Sequence, residues 1–371
     1  MSHKNELAIV TGIFPPDSGG PAKFAESFLA WGAYNSHFIS VISLTNGHEV
    51  KKRAEDSYLH LVSRNQTFIS RFTKSVLAIS KFMRANIPVL SNGMFFEVLF
   101  ASLVTRNRKY VCKVPGDIVW ERARNSGRTS MNIDEFQDCN LSLWLRLLRY
   151  LFSWSLRRAE CVIVPSTHLK SLVEKWGIPP QKISLIYNSV DLKKFAPQSE
   201  KKNYDVITVC RLVPWKGVDE IIRACAELSL SLAVVGEGPE RTRLEELSVQ
   251  LGTKTSFMGE VSQDRLPKIL DQASCFVLNS NFEATSYALI EARSVGLFSI
   301  ANANTGSEEV VLDHRDGILC RKGYRDLLNA LKRFRDDKAF VKSAVKAAQS
   351  RTRELFDMEK NFQTIWDLVV G

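Results

Sequence analysis

Apolar residues fall into two alternating patterns along the chain: short runs rich in Val, Ile and Leu, and longer stretches in which an apolar residue recurs every three or four positions. A short run with no polar face predicts a strand buried on both sides, and the helical period predicts the helices that cover it. Their alternation predicts an α/β fold of parallel sheets. The predicted strands of the first half are "LAIVTG", "HFISVISLT", "YLHLV", "IPVLSN", "YVCKV" and "CVIVPS". Among the helices, "STHLKSLVEKWG" is bounded by Ser166, whose hydroxyl can cap the first amides, and by Gly177, which suits a left-handed end. The apolar period stops over residues 191–205, "DLKKFAPQSEKKNYD", which reads as a linker. A second series follows with "DVITVC", "SLAVVG", "TSFMG", "SCFVLNS", "LFSIAN" and "GILC". Two Rossmann-like halves joined in this way are expected to face each other across a cleft at the carboxyl ends of their sheets.

The composition, 371 residues with 45% hydrophobic and 24% charged positions, fits a globular chain with two cores. No apolar run reaches the roughly 18 to 20 residues of a membrane span, and the first residues lack a secretory h-region. A cytoplasmic protein is therefore expected, peripheral to the membrane at most. The seven cysteines are scattered, without a Cys-x-x-Cys pair, and read as buried thiols. Charge is uneven: residues 1–190 hold 24 Lys and Arg against 14 Asp and Glu, whereas residues 191–371 hold 26 against 26. A basic first half points to an anionic partner, whether a lipid surface, a phosphorylated substrate or nucleic acid. Nucleic acid is disfavoured because no helix-turn-helix, zinc or RNA-recognition signature accompanies the charge. The histidines show no metal-ligand spacing, and no Gly-x-Ser-x-Gly elbow is present.

Three segments carry candidate chemistry. In "GIFPPDSGGPAKF" the first strand runs into Gly19 and Gly20 just before Pro21, where a helix should start. Glycines there allow close backbone approach to a ligand, and equally suit a tight strand-to-helix turn. In "VCRLVPWKG" Arg211 follows a buried strand and Lys216 precedes a helix. The two cations could hold an anion such as a diphosphate or simply be solvated. "NSNFEATSYALIEARSVG", residues 279–296, reads as a strand end, a loop and a helix closed by Gly296. Glu283 is then in the loop, the amides of Ser286, Tyr287 and Ala288 lie in the first turn where a phosphate is favoured, and Glu291 lies further along the helix. A carboxylate can accept two hydrogen bonds from the adjacent hydroxyls of a ribose.

The segments "CRLVPWKG", "VGEGPERTRLEEL", "FMGEV", "NFEATSYALIEARSVG", "TGSEEVV" and "DGILC", with "FPPDSGG" and "IYNSVDLKKF" upstream, resemble the retaining nucleotide-sugar glycosyltransferases of family 4. The resemblance implies the two-Rossmann GT-B fold, no metal or other cofactor, and a last helix, "FDMEKNFQTIWDLVV", that returns to the first domain. The implied domains are residues 1–190 for the acceptor, 191–352 for the donor, and 353–371 for the returning helix. It implies that Arg211 and Lys216 stabilise a departing diphosphate, that Glu283 lies beside the donor sugar and Glu291 at the ribose, and that Gly19, Gly20 and Gly236 join Ser286, Tyr287 and Ala288 in donor binding. The acceptor would attack the face that the leaving group departs from, without a protein nucleophile. Where many members carry a histidine after the strand "YVCKV", this chain has Asp117, which is expected to approach the donor sugar or the acceptor. Thr305 replaces a family glycine, Ser189 another, and Ala284 stands where glycine or proline is common.

The implied reaction is transfer of a sugar from a UDP-, GDP- or ADP-sugar to a saccharide or lipid-linked acceptor in cell-surface polysaccharide or glycolipid synthesis. A sucrose- or trehalose-type enzyme and an inactive nucleotide-sugar-binding protein are the rivals. Residues 141–160, "LSLWLRLLRYLFSWSLRRAE", set Trp144, Leu148, Leu151 and Trp154 at helical spacing beside Arg146, Arg149, Arg157 and Arg158. Such a helix suits an anionic membrane surface, and also suits packing on the neighbouring sheet.

Overall fold

The computed structural model describes residues 5–371 except 18, 55–56, 198–201, 282, 284, 304 and 322. Ala284 and the middle of the expected linker therefore lie outside the described residues. The chain forms two compact units, Met1–Ile186 with Glu359–Gly371, and Tyr187–Met358.

In the first unit the strands are β1 (Glu6–Thr11), β2 (Phe38–Thr45), β3 (Val50–Arg53), β4 (Ser57–Ser63), β5 (Val89–Ser91), β6 (Tyr110–Lys113), β7 (Cys161–Val164) and β8 (Ile183–Leu185). They form one sheet in the order β3-β4-β2-β1-β5-β6-β7-β8. All neighbours pair in parallel except β3 with β4. The edge strands β3 and β8 were not among the predicted strands, because "VKKR" has no apolar run and "ISL" is only three residues long. The helices are α1 (Gly20–Tyr34), α2 (Phe68–Arg84), α3 (Phe95–Thr105), α4 (Ile118–Asn125), α5 (Ile133–Asp138), α6 (Leu143–Arg158) and α7 (Thr167–Lys175). Ser166 caps α7 through Leu169 N at 3.1 Å, and Gly177 beyond its end has φ +82°.

The second unit has β9 (Tyr204–Val209), β10 (Leu232–Val235), β11 (Thr255–Phe257), β12 (Ala273–Leu278), β13 (Phe298–Asn302) and β14 (Ile318–Cys320), all parallel in the order β11-β10-β9-β12-β13-β14. Its helices are α8 (Val218–Glu227), α9 (Arg241–Gln250), α10 (Leu266–Leu270), α11 (Tyr287–Ser294), α12 (Ser307–Val310), α13 (Tyr324–Asp336) and α14 (Lys338–Leu355). Separate apolar clusters fill its two faces, one around Val206, Ile221 and Phe298 and the other around Ile207, Phe276 and Ile290. Val206 and Ile207 are adjacent on β9, so alternation across the sheet sends one to each core.

The last helix, α15 (Met358–Val370), belongs to the first unit. Phe362 meets Phe24, Phe28 and Trp31 of α1 edge to face at 5.0–6.1 Å, and Trp31 Nε1 donates to Glu359 at 3.0 Å. In each sheet the strand order reverses beside the first strand of the series, between β1 and β5 and between β9 and β12. Such a reversal separates the flanking loops at the carboxyl ends and opens the crevice where α/β proteins bind ligands.

Candidate active site

At the reversal in the second unit, β9 ends at Val209 and the chain turns through Arg211 into a short 3-10 turn, Pro214–Lys216. The turn's geometry is locked by glycine. Gly236 has φ +131°, and a Cβ there would come 1.9 Å from Cys210 O. Gly238 would meet Leu212 O at 2.1 Å. Cys210 N bonds Val235 O and Leu212 N bonds Glu237 O, so the backbone on each side of Arg211 lies flat on the glycine loop. Gly236 thus positions Arg211 from beneath, while the Arg211 side chain is exposed.

Lys216 is held in the same way. Gly217 (φ +57°) has no room for a Cβ against Asn279, whose Nδ2 donates to Gly217 O at 3.1 Å and to Glu220 Oε2 at 2.7 Å. The loop after β12 is pinned at three points: Asn281 N to Trp215 O at 2.9 Å, Gly306 N to Glu283 O at 2.7 Å, and Asn188 Nδ2 to Thr285 O at 3.1 Å. Pinning brings the Glu283 carboxylate onto Lys216 Nζ in a close ion pair, with the two side chains 15% and 17% exposed. Arg211, Lys216 and Glu283 therefore share one edge of one sheet, and the Lys216 charge remains within reach of solvent.

Helix α11 starts beside them. Ser286 is its N-cap, with Oγ accepting from Leu289 N at 3.4 Å, and Tyr287 and Ala288 form the first turn, where amide groups point along the axis toward any bound anion. Tyr287 Oη donates to Asn188 at 3.2 Å, and burial together with the nearby Glu291 charge holds its phenol well above the usual pKa. Glu291 is only 1% exposed. A ligand reaching it must displace what covers it, which the sequence pattern gave no reason to expect. Thr305 stands where the resemblance has a glycine, and its Oγ1 donates to Asn302 O and accepts from Ser307 N, closing the start of α12.

In the first unit, Gly19 (φ +145°) and Gly20 lead into α1 with Pro21 in the first turn. Arg64, far off in sequence at the end of β4, fastens this loop through Nη2 to Gly12 O at 2.7 Å and to Asp17 at 2.8 Å. Asn92 ties the same loop to β5, its Nδ2 donating to Pro21 O at 3.0 Å.

Asp117 departs from the expectation that it approaches a substrate. It is 0% exposed and caps α4, with Oδ1 accepting from Val119 N at 2.9 Å and Trp120 N at 3.2 Å. Its Oδ2 accepts from Gln137 Nε2 at 3.0 Å and Arg149 Nη2 at 2.5 Å. Two bonds per oxygen use up a carboxylate's acceptor sites. Arg149, in turn, stacks on Trp176 at 4.6 Å and is not part of a charged outer face of α6. A neighbouring carboxylate that stays accessible is Glu121, one helical turn beyond Asp117. Its Oε1 lies over Gly116, where a Cβ would come within 2.7 Å. The protein packed round this carboxyl, and secondly the Asp117 charge, push its pKa up to about 7. The helical spacing of Asp117 and Glu121 could have flagged it; Arg64, Asn188 and Asn279 had no comparable signal, since their partners are remote in sequence.

The chain matches the family model "Glycosyl transferases group 1" over residues 189–351 and "Glycosyltransferase Family 4" over residues 129–194, which together span 129–351. It is 30% identical over 164 residues to a phosphatidylinositol N-acetylglucosaminyltransferase component of Arabidopsis thaliana, covering 42% of this chain and 37% of that one. The match thus spans little more than a third of the relative. Sucrose-phosphate synthase from Thermosynechococcus elongatus has the same fold, with a TM-score of 0.80 at 18% identity over 98% of each chain. The Anabaena protein HepE, solved in complex with UDP and glucose, superposes with a TM-score of 0.77 at 18% identity over 98% of this chain and 99% of that one. The two sheets, the order of the motifs along them and both family models agree: this chain belongs to the family 4-type glycosyltransferases of GT-B fold.

Proposed function

We propose that the protein transfers a sugar from a nucleotide diphosphate sugar to a saccharide or lipid-linked acceptor, in the synthesis of a cell-surface polysaccharide or glycolipid. The observation that carries this reading is the cluster of Arg211, Lys216 and Glu283 at the start of α11. Two preorganised cations beside a helix N-terminus suit the charge that develops on a departing diphosphate. The Lys216–Glu283 pair keeps the cation oriented before the donor arrives. Once it arrives, Lys216 can turn to phosphate while Glu283 accepts from sugar hydroxyls. Tyr287 and Ala288 supply amides to the phosphates, Glu291 takes the ribose, and Gly19 and Gly20 are the first unit's contribution to phosphate binding. In this reading the acceptor oxygen bonds to the anomeric carbon on the face from which the nucleoside diphosphate departs, so configuration is retained, the leaving phosphate takes the acceptor's proton, and Arg211 and Lys216 meet the developing charge in place of a metal. Catalysis then rests on positioning and electrostatics.

UDP-sugars are the first donors to test, since HepE was solved with UDP, and a lipid-linked acceptor is in line with the phosphatidylinositol N-acetylglucosaminyltransferase relative. The decisive experiment offers UDP-, GDP- and ADP-sugars with and without acceptors and measures nucleotide release. Turnover with one donor supports the reading; binding without turnover leaves a nucleotide-sugar-binding protein. Glu291→Ala should weaken binding of the free nucleotide, whereas Glu283→Ala should chiefly slow transfer. Equal nucleotide affinity in wild type and Glu291→Ala would remove the ribose assignment.

A further inference from the structure

The chain passes from the first unit to the second after Ile186 and returns after Met358. Ile186 N donates to Val164 O of β7 at 3.0 Å, so residue 186 is still fixed to the first sheet. Further on, Val190 N donates to Phe356 O at 3.0 Å, and Met358 N donates back to Val190 O at 3.1 Å. The Tyr187 ring meets Phe356 edge to face at 5.3 Å, and both Val190 and Phe356 are buried. The outgoing and returning segments thus run side by side, paired in parallel at Val190 and Asp357.

Asn188 stands between these fixed points, and its carboxamide reaches the start of α11. Nδ2 donates to Thr285 O at 3.1 Å, and Oδ1 accepts from Tyr287 Oη at 3.2 Å. A carbonyl can only accept, so the amino end of the carboxamide must face Thr285, which leaves the oxygen for the phenol. Burial, and then the Glu291 charge, keep that phenol protonated and therefore a donor. One side chain thus holds both neighbours of Ser286, the N-cap of α11, from outside the helix.

The hold matters because the first amides of a helix have no partner within it, so the helix's own bonds do not fix where they point. The cap and whatever grips the residues beside it decide. Ser286 accepts from Leu289 N through Oγ and from Ile290 N through its carbonyl oxygen, which ties the first turn to Ser286. Asn188 ties the residues on either side of Ser286 to the paired segments. Aspartate in its place would set an acceptor against the Thr285 carbonyl, and alanine would make neither bond.

We infer that Asn188 is a positioning residue for the donor site: it fixes the start of α11 on the paired segments, so that a shift of either segment moves the amides of Tyr287 and Ala288. This rests on the reading of α11 as a donor-phosphate site, and a measurement without ligand separates the two. Hydrogen exchange at Leu289 and Ile290 is followed in the free full chain, and UDP affinity is measured by calorimetry. Asn188→Ala should speed that exchange and weaken UDP about tenfold each, the scale of one or two hydrogen bonds, while exchange within β9 stays as in wild type. Asn188→Asp keeps the size of the side chain and should restore neither. Tyr187→Leu, which removes the ring contact with Phe356, should speed exchange at Leu289 when Asn188 is present and add nothing to Asn188→Ala. Wild-type exchange in Asn188→Ala overturns the inference, as do faster exchange with unchanged UDP affinity and additive effects of the two substitutions. A wild type that binds none of UDP, GDP and ADP would sink the donor reading, and the exchange measurements would still decide whether Asn188 carries the coupling.

Discussion

Asp117 and Glu283 are both carboxylates just past the end of a strand, both paired with a cation, and both stand ahead of a helix, yet they are built for different work. Asp117 is sealed: its four bonds go to two backbone amides, Gln137 and Arg149. Glu283 is held by its backbone, through Gly306, and its side chain shares a solvent-accessible pair with Lys216. A sealed pair cannot exchange a partner without leaving a charge stranded, which costs several kcal/mol. An open pair can hand its cation to a phosphate at little cost, because water and the ligand replace what is lost. Between these two, acceptor sites left unspent, more than residue type or motif position, separate the structural carboxylate from the one that can meet a substrate.

The sealed carboxylate should give the largest effect. Asp117→Ala should destabilise the protein by about 3 to 5 kcal/mol, because Arg149 keeps a buried charge without its partner and α4 loses its cap. Urea unfolding measures this; normal stability with collapsed transfer would instead put Asp117 at the substrate. On the open side, Arg211→Ala and Lys216→Ala should each lower kcat roughly a hundredfold or more, about 3 kcal/mol, with an unchanged circular dichroism spectrum. Wild-type rates in both variants would remove the diphosphate role.

Lys113 offers an intermediate case. It lies at the end of β6, is 3% exposed, and has its Nζ 4.5 Å over the Phe24 ring. Burial pushes its pKa from 10.5 down to about 8. A lowered lysine pKa means that the folded state carries a cost below pH 8, and that the cost is relieved as pH rises from about 8 to about 10.5. Lys113→Met should therefore be more stable than wild type at pH 7 by about 2 to 3 kcal/mol, and the advantage should vanish near the upper limit. A pH-independent difference would show that the charge is not what burial opposes.

Within α4 the expected effect is smaller still. Glu121 has a pKa raised to about 7, so the group costs the fold nothing below the ordinary value of 4.5, and the cost grows as pH rises from 4.5 and is full above about 7. Glu121→Gln should gain stability relative to wild type as pH rises from 4.5 to about 7 and keep the gain above it, by little, since solvent reaches the side chain and screens it. If the variant instead loses stability over that interval, the carboxylate is paired where the geometry has it only crowded.

Much of this architecture was legible in the sequence. Twelve predicted strands correspond to strands of the two sheets, since a run such as "LAVV" has too little polar surface to lie anywhere but between helix layers. Local signals also worked where the physics is local: Ser166 caps a helix, and Gly177 and Gly296 take positive φ. The pairing of Lys216 with Glu283, 67 residues apart, had no signal in the sequence; the resemblance implied only that Lys216 faces the diphosphate and Glu283 the donor sugar.

The β-α alternation, the cap and turn residues, and the set of charged groups delivered to the strand ends follow from the sequence alone, because each depends on neighbours within a few positions. Which of those charged groups stay accessible was settled only by the folded arrangement. Asp117 is closed off by Gln137 and Arg149, 20 and 32 residues away, Glu291 is covered, and Arg64 reaches across 52 residues to hold Gly12. The same arrangement turns Leu148 inward on α6 and leaves Trp144 facing out. Burial is a sum over partners that the chain brings together only on folding, so no local pattern of residues can fix it.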